Sequence, residues 1–122
     1  MGIKVAKFGG SSLANAAQFI KVKAIIESDR QRRFIIPSAP GKRTPEDHKI
    51  TDLLYLCHAH VQQGIGFDDV FGVISQRYLE IIRELNLTLD LNPYLTEIKN
   101  AISSGASADY SASRGEFLNG LI

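Results

Sequence analysis

The stretch KVAKFGGSSLANAA, residues 4–17, begins like a strand and ends like a helix. The apolar run over residues 3–8 predicts the strand, and the paired glycines and serines at 9–12 predict a tight turn. Lys7 is the exception, because it places a charge near the end of an otherwise apolar strand. Two interpretations stay open at this point. The turn is either a phosphate-binding loop with a neutralising cation, or a plain strand–helix turn whose lysine extends into solvent.

The chemistry of the turn suits an anion. Backbone amides that are free at the start of a helix, together with the helix dipole, favour a phosphate there. Gly9 and Gly10 would let the backbone approach it without an intervening Cβ, and Ser11 adds a hydroxyl. Lys7 would offset charge on a phosphoryl group in transfer. The pattern matches neither GxxxxGK[ST] nor GxGxxG, so it does not by itself identify a nucleotide-binding family.

A second strand is predicted at 33–38, after a helix over about 13–28 and a charged link at 29–32. Its continuously apolar centre is typical of a parallel strand covered on both faces. Ligands of open α/β sheets bind beyond the carboxyl ends of the strands, so Ser38 and Lys7 are expected at the same edge. The apolar face of the intervening helix is predicted to comprise Leu13, Ala17, Ile20 and Ala24.

The rest of the chain is predicted to be helical after a polar loop at 39–49. Helices are expected over about 51–63, from 68, over 92–103 and from about 109, with Thr51, Asp68 and Asn92 as N-caps. Both Thr51 and Glu116 have two interpretations, since capping and the helix dipole explain them as well as a binding site does. The buried stripe of the helix from 68 is predicted to comprise Val70, Val73, Ile74, Tyr78, Ile81, Ile82 and Leu85.

Composition narrows the function classes. The chain has 122 residues and a net charge of +1, which gives no electrostatic bias toward nucleic acid or a membrane surface. One cysteine, Cys57, excludes an internal disulfide and fits a reducing compartment, so we expect a cytoplasmic protein. His58 and His60 lie two apart on a predicted helix and point to different sides, so no metal site is predicted.

Two parallel strands are too few for a well-covered sheet, since sheets commonly have about four to six strands. We therefore expect the chain to be the N-terminal part of a longer protein.

Four short motifs occur in an order that resembles the aspartate kinase family. KFGGSS at 7–12 is similar to the KFGGTS opening of that family, and SAPGKR at 38–43, KITDLL at 49–54 and SRGE at 113–116 follow in the same order. The resemblance implies an α/β protein with the three-layer αβα amino-acid kinase (carbamate kinase-like) fold. Residues 1–122 would be its N-terminal, substrate-side portion, helix-rich with few parallel strands. The nucleotide-base half and the regulatory ACT domains would be absent.

The resemblance also implies an activity, namely phosphorylation of the β-carboxylate of L-aspartate by ATP with Mg²⁺, the first step of lysine, threonine and methionine biosynthesis. A homo-oligomer is implied as well, and we expect the 122-residue chain alone to be inactive. The phosphates of ATP would contact Lys7, Gly9, Gly10 and Ser11, with Lys7 also stabilising the transition state. Aspartate would be held by Ser38, Thr51 and Glu116.

The chain departs from the family pattern in several places. Ser11 replaces a threonine, and Asp52 stands where asparagine is common. Asn119 stands where a serine usually follows the GE element of the SRGE motif. The loop at 41–51, which lies between Ser38 and Thr51, is longer than in many members. Two alternatives remain: an amino-acid kinase for glutamate or N-acetylglutamate, or a non-catalytic module that self-associates through the helices at 51–103. Glu116 suits a free α-ammonium and disfavours an N-acylated substrate.

Overall fold

The computed structural model describes residues 2–122 as two parallel strands and a set of helices. The order is β1 (Lys4–Phe8), a 3₁₀ helix (Gly10–Leu13), α1 (Ala16–Glu27), β2 (Arg32–Pro37), α2 (Ile50–Gln62), α3 (Asp68–Glu84), α4 (Asn92–Ser103) and α5 (Ala108–Leu121). The predicted α/β, helix-rich arrangement with few parallel strands is confirmed. None of the helices within 2–122 is long and apolar enough to span a membrane.

The two strands end at the same edge. β1 and β2 pair in parallel, with Lys7 opposite Ile36 and Phe8 opposite Pro37. The ladder continues one residue past β2, because the Ser38 amide donates to the Phe8 carbonyl at 3.1 Å. The expectation that Lys7 and Ser38 lie at one edge of the sheet is therefore confirmed.

One face of this sheet is uncovered. Val5, Phe34 and Ile36 are 62%, 57% and 47% exposed, and alternation along β1 places Lys7 on the same face. The prediction that the second strand is covered on both faces is therefore wrong for residues 2–122. The cause is that no element within these residues packs on that side.

The turn at residues 9–12, hereafter the glycine turn, is more ordered than the sequence predicts. Residues 10–13 form a 3₁₀ helix, and α1 begins only at Ala16 instead of at Leu13. Asn15 sets this start, because its backbone is extended and its side chain accepts the Gln18 amide at 3.1 Å. Asparagine is a strong N-cap, so the helix begins where that cap is satisfied.

The buried face of α1 also differs from the prediction. Leu13 is buried, but Ala17, Ile20 and Ala24 are exposed, and the helix instead buries Ala16 and Val22. Apolar residues occur on several sides of this segment, so helical spacing alone fits more than one face.

The main core lies among α2, α3, α4 and α5. Tyr78 and Ile74 are fully buried and Ile81 and Ile82 nearly so, as predicted, whereas Val73 is 54% exposed and the prediction for it is wrong. Val73 lies on the outer side of α3, one position from Ile74. Other core residues are Ile50, Leu54, Cys57, Leu91, Leu95, Ile98, Ile102 and Leu118.

The helix starts correct three predicted caps. The residues that precede the helices are Lys49, Phe67 and Leu91, so Thr51, Asp68 and Asn92 lie inside α2, α3 and α4. In α2 the Ile50 amide donates to the Pro40 carbonyl at 3.1 Å, so a backbone group outside the helix satisfies its first turn. The predicted stops after α2 and α4 are confirmed, since Gly64 and Gly105 have φ of +69° and +94°.

Close packing joins α5 to the residues after β2. A Cβ added to Gly115 would lie 2.5 Å from the Cβ of Ala39, far inside van der Waals contact. Ala39 is itself 5% exposed, so neither group has room to move outward. Glycine at 115 therefore sets how closely α5 approaches the end of β2.

Replacing Gly115 with alanine should lower the free energy of unfolding by about 1–3 kcal/mol, because the new methyl overpacks the contact with Ala39. The matched control is Gly72→Ala in α3, where an added Cβ meets nothing within 4 Å. That change should stabilise the helix by about 0.5–1 kcal/mol. Urea unfolding followed by circular dichroism measures both, and equal effects of the two substitutions would contradict the packing argument.

Candidate active site

An open cleft of about 530 Å³ lies beyond the carboxyl ends of the two strands. Five of the seven predicted site residues line it, namely Gly10, Ser11, Ser38, Thr51 and Glu116. The other lining residues are Ala39, Pro40, Gly41, Lys42 and Lys49. Residues from four separate segments of the chain thus meet in one depression, at the place where open α/β sheets bind ligands.

A smaller cavity of about 220 Å³ lies between α3 and α4. Its charged groups satisfy each other, because the Lys99 ammonium contacts the Asp68 carboxylate at 2.7 Å. The chemistry predicted from the sequence lies at the larger cleft.

The floor of the cleft is a backbone contact between two glycines. The Gly41 amide donates to the Gly10 carbonyl at 2.8 Å. A Cβ on Gly41 would lie 2.6 Å from the Gly10 carbonyl carbon and 2.8 Å from the Ser11 nitrogen. Only glycine permits this approach, which fixes the glycine turn against residues 38–41, hereafter the exit segment.

Arg77 of α3 holds the far end of the exit segment. Its side chain is 4% exposed, and its guanidinium donates to the Gly41 carbonyl at 2.8 Å and the His48 carbonyl at 3.0 Å. It also donates to the Asp47 carboxylate at 2.8 Å. One buried side chain thereby joins α3, the exit segment and the loop at 42–49.

Asp47 completes this arrangement from within the loop. The Arg43 side chain donates to its carboxylate at 2.7 Å and the Arg43 amide at 3.0 Å. Hydrogen bonds from Arg43, with the charge of Arg77 adding to them, hold the pKa of Asp47 well below its usual value. The carboxylate is therefore ionised at neutral pH and fixes the loop between two guanidinium groups.

Two side chains fix the position of α5, one from α3 and one that bonds α5 to the exit segment. The buried Tyr78 hydroxyl donates to the Gly115 carbonyl at 2.9 Å. Burial, reinforced by the nearby Glu116 carboxylate, raises the pKa of Tyr78, so the hydroxyl keeps the proton that it donates. Asn119 donates through its side-chain amide to the Ser38 carbonyl at 2.7 Å. These contacts place Glu116 on the wall of the cleft, and they give Asn119 a structural role.

Lys7 and Gly9 differ from the other predicted site residues. Within residues 2–122 they are not among those that line the cleft, and the Lys7 side chain is exposed beside Val5 on the open face of the sheet. Their assignment to the phosphate side stays a prediction. Thr51, which does not cap α2, lines the cleft from the first turn of that helix.

Sequence reasoning missed two cations of the cleft. Lys42 and Lys49 also line the cleft, and their charge is opposite in sign to that of Glu116. Both lie inside the motifs SAPGKR and KITDLL, so membership of these motifs was the signal that could have drawn attention to them. With Glu116 present as well, the cleft offers complementary groups to a ligand that carries both an ammonium and anionic groups.

Within residues 2–122, no three His, Cys, Asp or Glu side chains are grouped closely enough to hold a metal ion. No residue here is therefore assigned to Mg²⁺.

Comparison with known proteins relates the chain to one enzyme family, although no family model matches it. Over 85 residues it is 44% identical to aspartokinase 3 of Bacillus subtilis. This match covers 70% of the chain and 19% of that protein. The chain is 64% identical to the aspartate kinase of Clostridium acetobutylicum, whose crystal structure matches 99% of the chain and 28% of that protein with a TM-score of 0.96. The chain belongs to the aspartokinase family.

Two structures of Escherichia coli aspartokinase III share the fold of this aspartokinase chain at 24% identity, with TM-scores of 0.74 and 0.75. Each match covers 98% of the chain and 27% of that protein. One was solved in complex with aspartate and ADP, the other with lysine and aspartate. The aspartokinase chain thus spans between 19% and 28% of the length of these relatives.

Replacing Arg77 with methionine should destabilise this aspartokinase chain by about 3 kcal/mol, because two carbonyls lose their donor and Asp47 loses a buried partner. Arg83→Met is the matched control, since Arg83 is exposed on the same helix. It should change stability by less than about 0.5 kcal/mol. Urea unfolding at neutral pH distinguishes the two, and a similar small effect of both would contradict a structural role for Arg77.

Low pH should remove the stabilisation that the ionised Asp47 carboxylate gives to the unsubstituted chain. A carboxyl whose pKa is lower in the folded state stabilises the fold above its ordinary value of 3.8 and loses that effect as the pH falls below it. An acid titration of the unfolding free energy should therefore show a decrease below about pH 4 that Asp47→Asn weakens. An unchanged acid dependence in Asp47→Asn would contradict this assignment.

Proposed function

We propose that the protein carrying this chain is an aspartate kinase, which transfers the γ-phosphoryl group of ATP, with Mg²⁺, to the β-carboxylate of L-aspartate. The product, 4-phospho-L-aspartate, begins the synthesis of lysine, threonine and methionine. The observation that carries the proposal is the cleft itself, which brings Ser11, Ser38, Thr51 and Glu116 together in a chain of the aspartokinase family.

The proposed fold is the three-layer αβα amino-acid kinase fold, with residues 1–122 as its N-terminal, substrate-side part. The parallel strands that end at the cleft and the close match to the Clostridium acetobutylicum structure support this. The open face of the two-stranded sheet agrees with a larger sheet and a further layer. A cytoplasmic location is inferred from the single cysteine, and a homo-oligomeric state is inferred from the family alone.

The amino-acid side of the cleft is assigned to Ser38, Thr51 and Glu116. Glu116 carries the one carboxylate among the lining residues, so it pairs with the α-ammonium of aspartate. Ser38 and Thr51 present hydroxyls that can donate to carboxylate oxygens and orient the β-carboxylate toward the γ-phosphorus. An N-acylated amino acid has no ammonium for Glu116, which favours a free amino acid over N-acetylglutamate.

The phosphate side is assigned to the glycine turn. The attacking β-carboxylate oxygen forms a bond to the γ-phosphorus as the bond from that phosphorus to the β,γ-bridging oxygen breaks, and ADP leaves with the bonding electrons. The protein contributes mainly positioning and charge stabilisation to such a transfer. Gly9, Gly10 and Ser11 supply backbone and hydroxyl donors, and Lys7 at the end of β1 offsets the negative charge of the equatorial oxygens.

Steady-state kinetics of the full-length protein, meaning the complete reading frame that contains this chain, test the assignment. Trapping the product as the aspartyl hydroxamate should show ATP-dependent activity with aspartate and little with N-acetylglutamate. Lys7→Ala should lower kcat by about two to three orders of magnitude, the usual effect of losing one transition-state donor. Glu116→Gln should raise KM for aspartate by about one to two orders of magnitude, because a charged hydrogen bond is lost.

Lys23→Ala is the control for Lys7→Ala, since Lys23 is an exposed lysine of α1 outside the cleft. It should leave both kinetic constants unchanged. A near-normal kcat for Lys7→Ala would remove Lys7 from its proposed role, and absence of aspartate-dependent hydroxamate from the unsubstituted full-length protein would overturn the proposed function.

A further inference from the structure

The loop at 42–49 separates its cations into two kinds. Arg43 is paired, because its guanidinium contacts Asp47 at 2.7 Å and Glu80 at 3.6 Å. Lys42 and Lys49 line the cleft and are exposed. Among residues 2–122, no carboxylate lies within ion-pair distance of either ammonium. The two lysines therefore bring uncompensated positive charge to the cleft.

The backbone under both lysines is fixed. Lys42 follows Gly41, whose amide and carbonyl are bonded to Gly10 and Arg77. Lys49 precedes the first residue of α2, whose amide is bonded to the Pro40 carbonyl. Because these hydrogen bonds hold the chain on either side of the loop, the lysines extend from defined positions at the cleft.

The charges of the cleft match those of one kind of ligand. Lys42 and Lys49 give two positive charges and Glu116 gives one negative charge, whereas aspartate carries two carboxylates and one ammonium. The N-terminus of α2 adds partial positive charge on the same side as Lys49. A neutral side chain, such as that of asparagine, would leave one lysine without a partner.

We propose that Lys42 and Lys49 bind the two carboxylates of the amino-acid substrate and select for an acidic side chain. This rests on the proposed function and adds two substrate-binding residues to it. The lysines belong to the same segments as Ser38 and Thr51, so carboxylates held by those hydroxyls lie within the field of both ammonium groups. The phosphates of ATP are assigned to the glycine turn, whose Gly10 and Ser11 line the same cleft.

The double substitution Lys42→Gln with Lys49→Gln in the full-length protein tests the proposal. KM for aspartate, and the Kd of aspartate measured by calorimetry without ATP, should both rise about tenfold. Each exposed ion pair contributes a few-fold to the affinity, and the two contributions multiply. kcat and KM for ATP should stay within about twofold. The charge-conserving double arginine variant should recover most of the affinity. Lys21→Gln with Lys23→Gln, two exposed lysines of α1, should match the parent.

An unchanged Kd and KM for aspartate in the double glutamine variant would overturn the proposal, provided that the parent makes aspartyl phosphate. A rise in KM for ATP with aspartate binding unchanged would overturn it too, and would assign the lysines to the phosphates. Failure of the proposed function is distinct, since the parent itself would then neither bind aspartate nor form the product. Both lysines are exposed, so the variants are expected to fold, and their thermal unfolding should equal that of the parent.

Discussion

The exit segment, residues 38–41, is the constraint on which the cleft depends. Every neighbouring element is bonded to it through the backbone or a buried side chain. β1 accepts the Ser38 amide, the glycine turn accepts the Gly41 amide, and Pro40 accepts the first amide of α2. Arg77 and Asn119 donate to the carbonyls at its two ends from α3 and α5. A segment of four residues after β2 thus sets the relative positions of five elements.

This constraint explains why the backbone under the cleft is fixed while polar and charged side chains line its surface. The contacts of the exit segment use main-chain groups and side chains that do not line the cleft, such as that of Arg77. The side chains of Ser38, Lys42, Thr51 and Glu116 remain available at its surface. Fixed donors and charges cost no reorganisation when a substrate with matching charge arrives, which is how positioning assists phosphoryl transfer.

The sequence predicted much of this site because its parts are local. Strand ends depend on neighbouring residues, and they predict Ser38 beside Lys7 at one edge of the sheet. Thr51 and Glu116 were predicted only from the order of motifs that resembles the aspartate kinases, and both line the cleft with Ser38. The long-range contacts were not predictable. Nothing near Arg77 in the sequence indicates that its guanidinium bonds to Gly41, 36 positions away. The predicted cap of α2, Thr51, is wrong because the Pro40 carbonyl accepts the first amide of the helix. The buried face of α1 was ambiguous because apolar residues occur on several sides of that helix.

The most direct measurement is a crystal structure of the full-length protein with L-aspartate and ADP. The α-ammonium of aspartate should lie within hydrogen-bonding distance of Glu116 and its carboxylates beside Ser38 and Thr51, with the hydrogen bonds of the exit segment intact. Aspartate bound elsewhere, or an exit segment released from Gly10 and Arg77, would contradict the account.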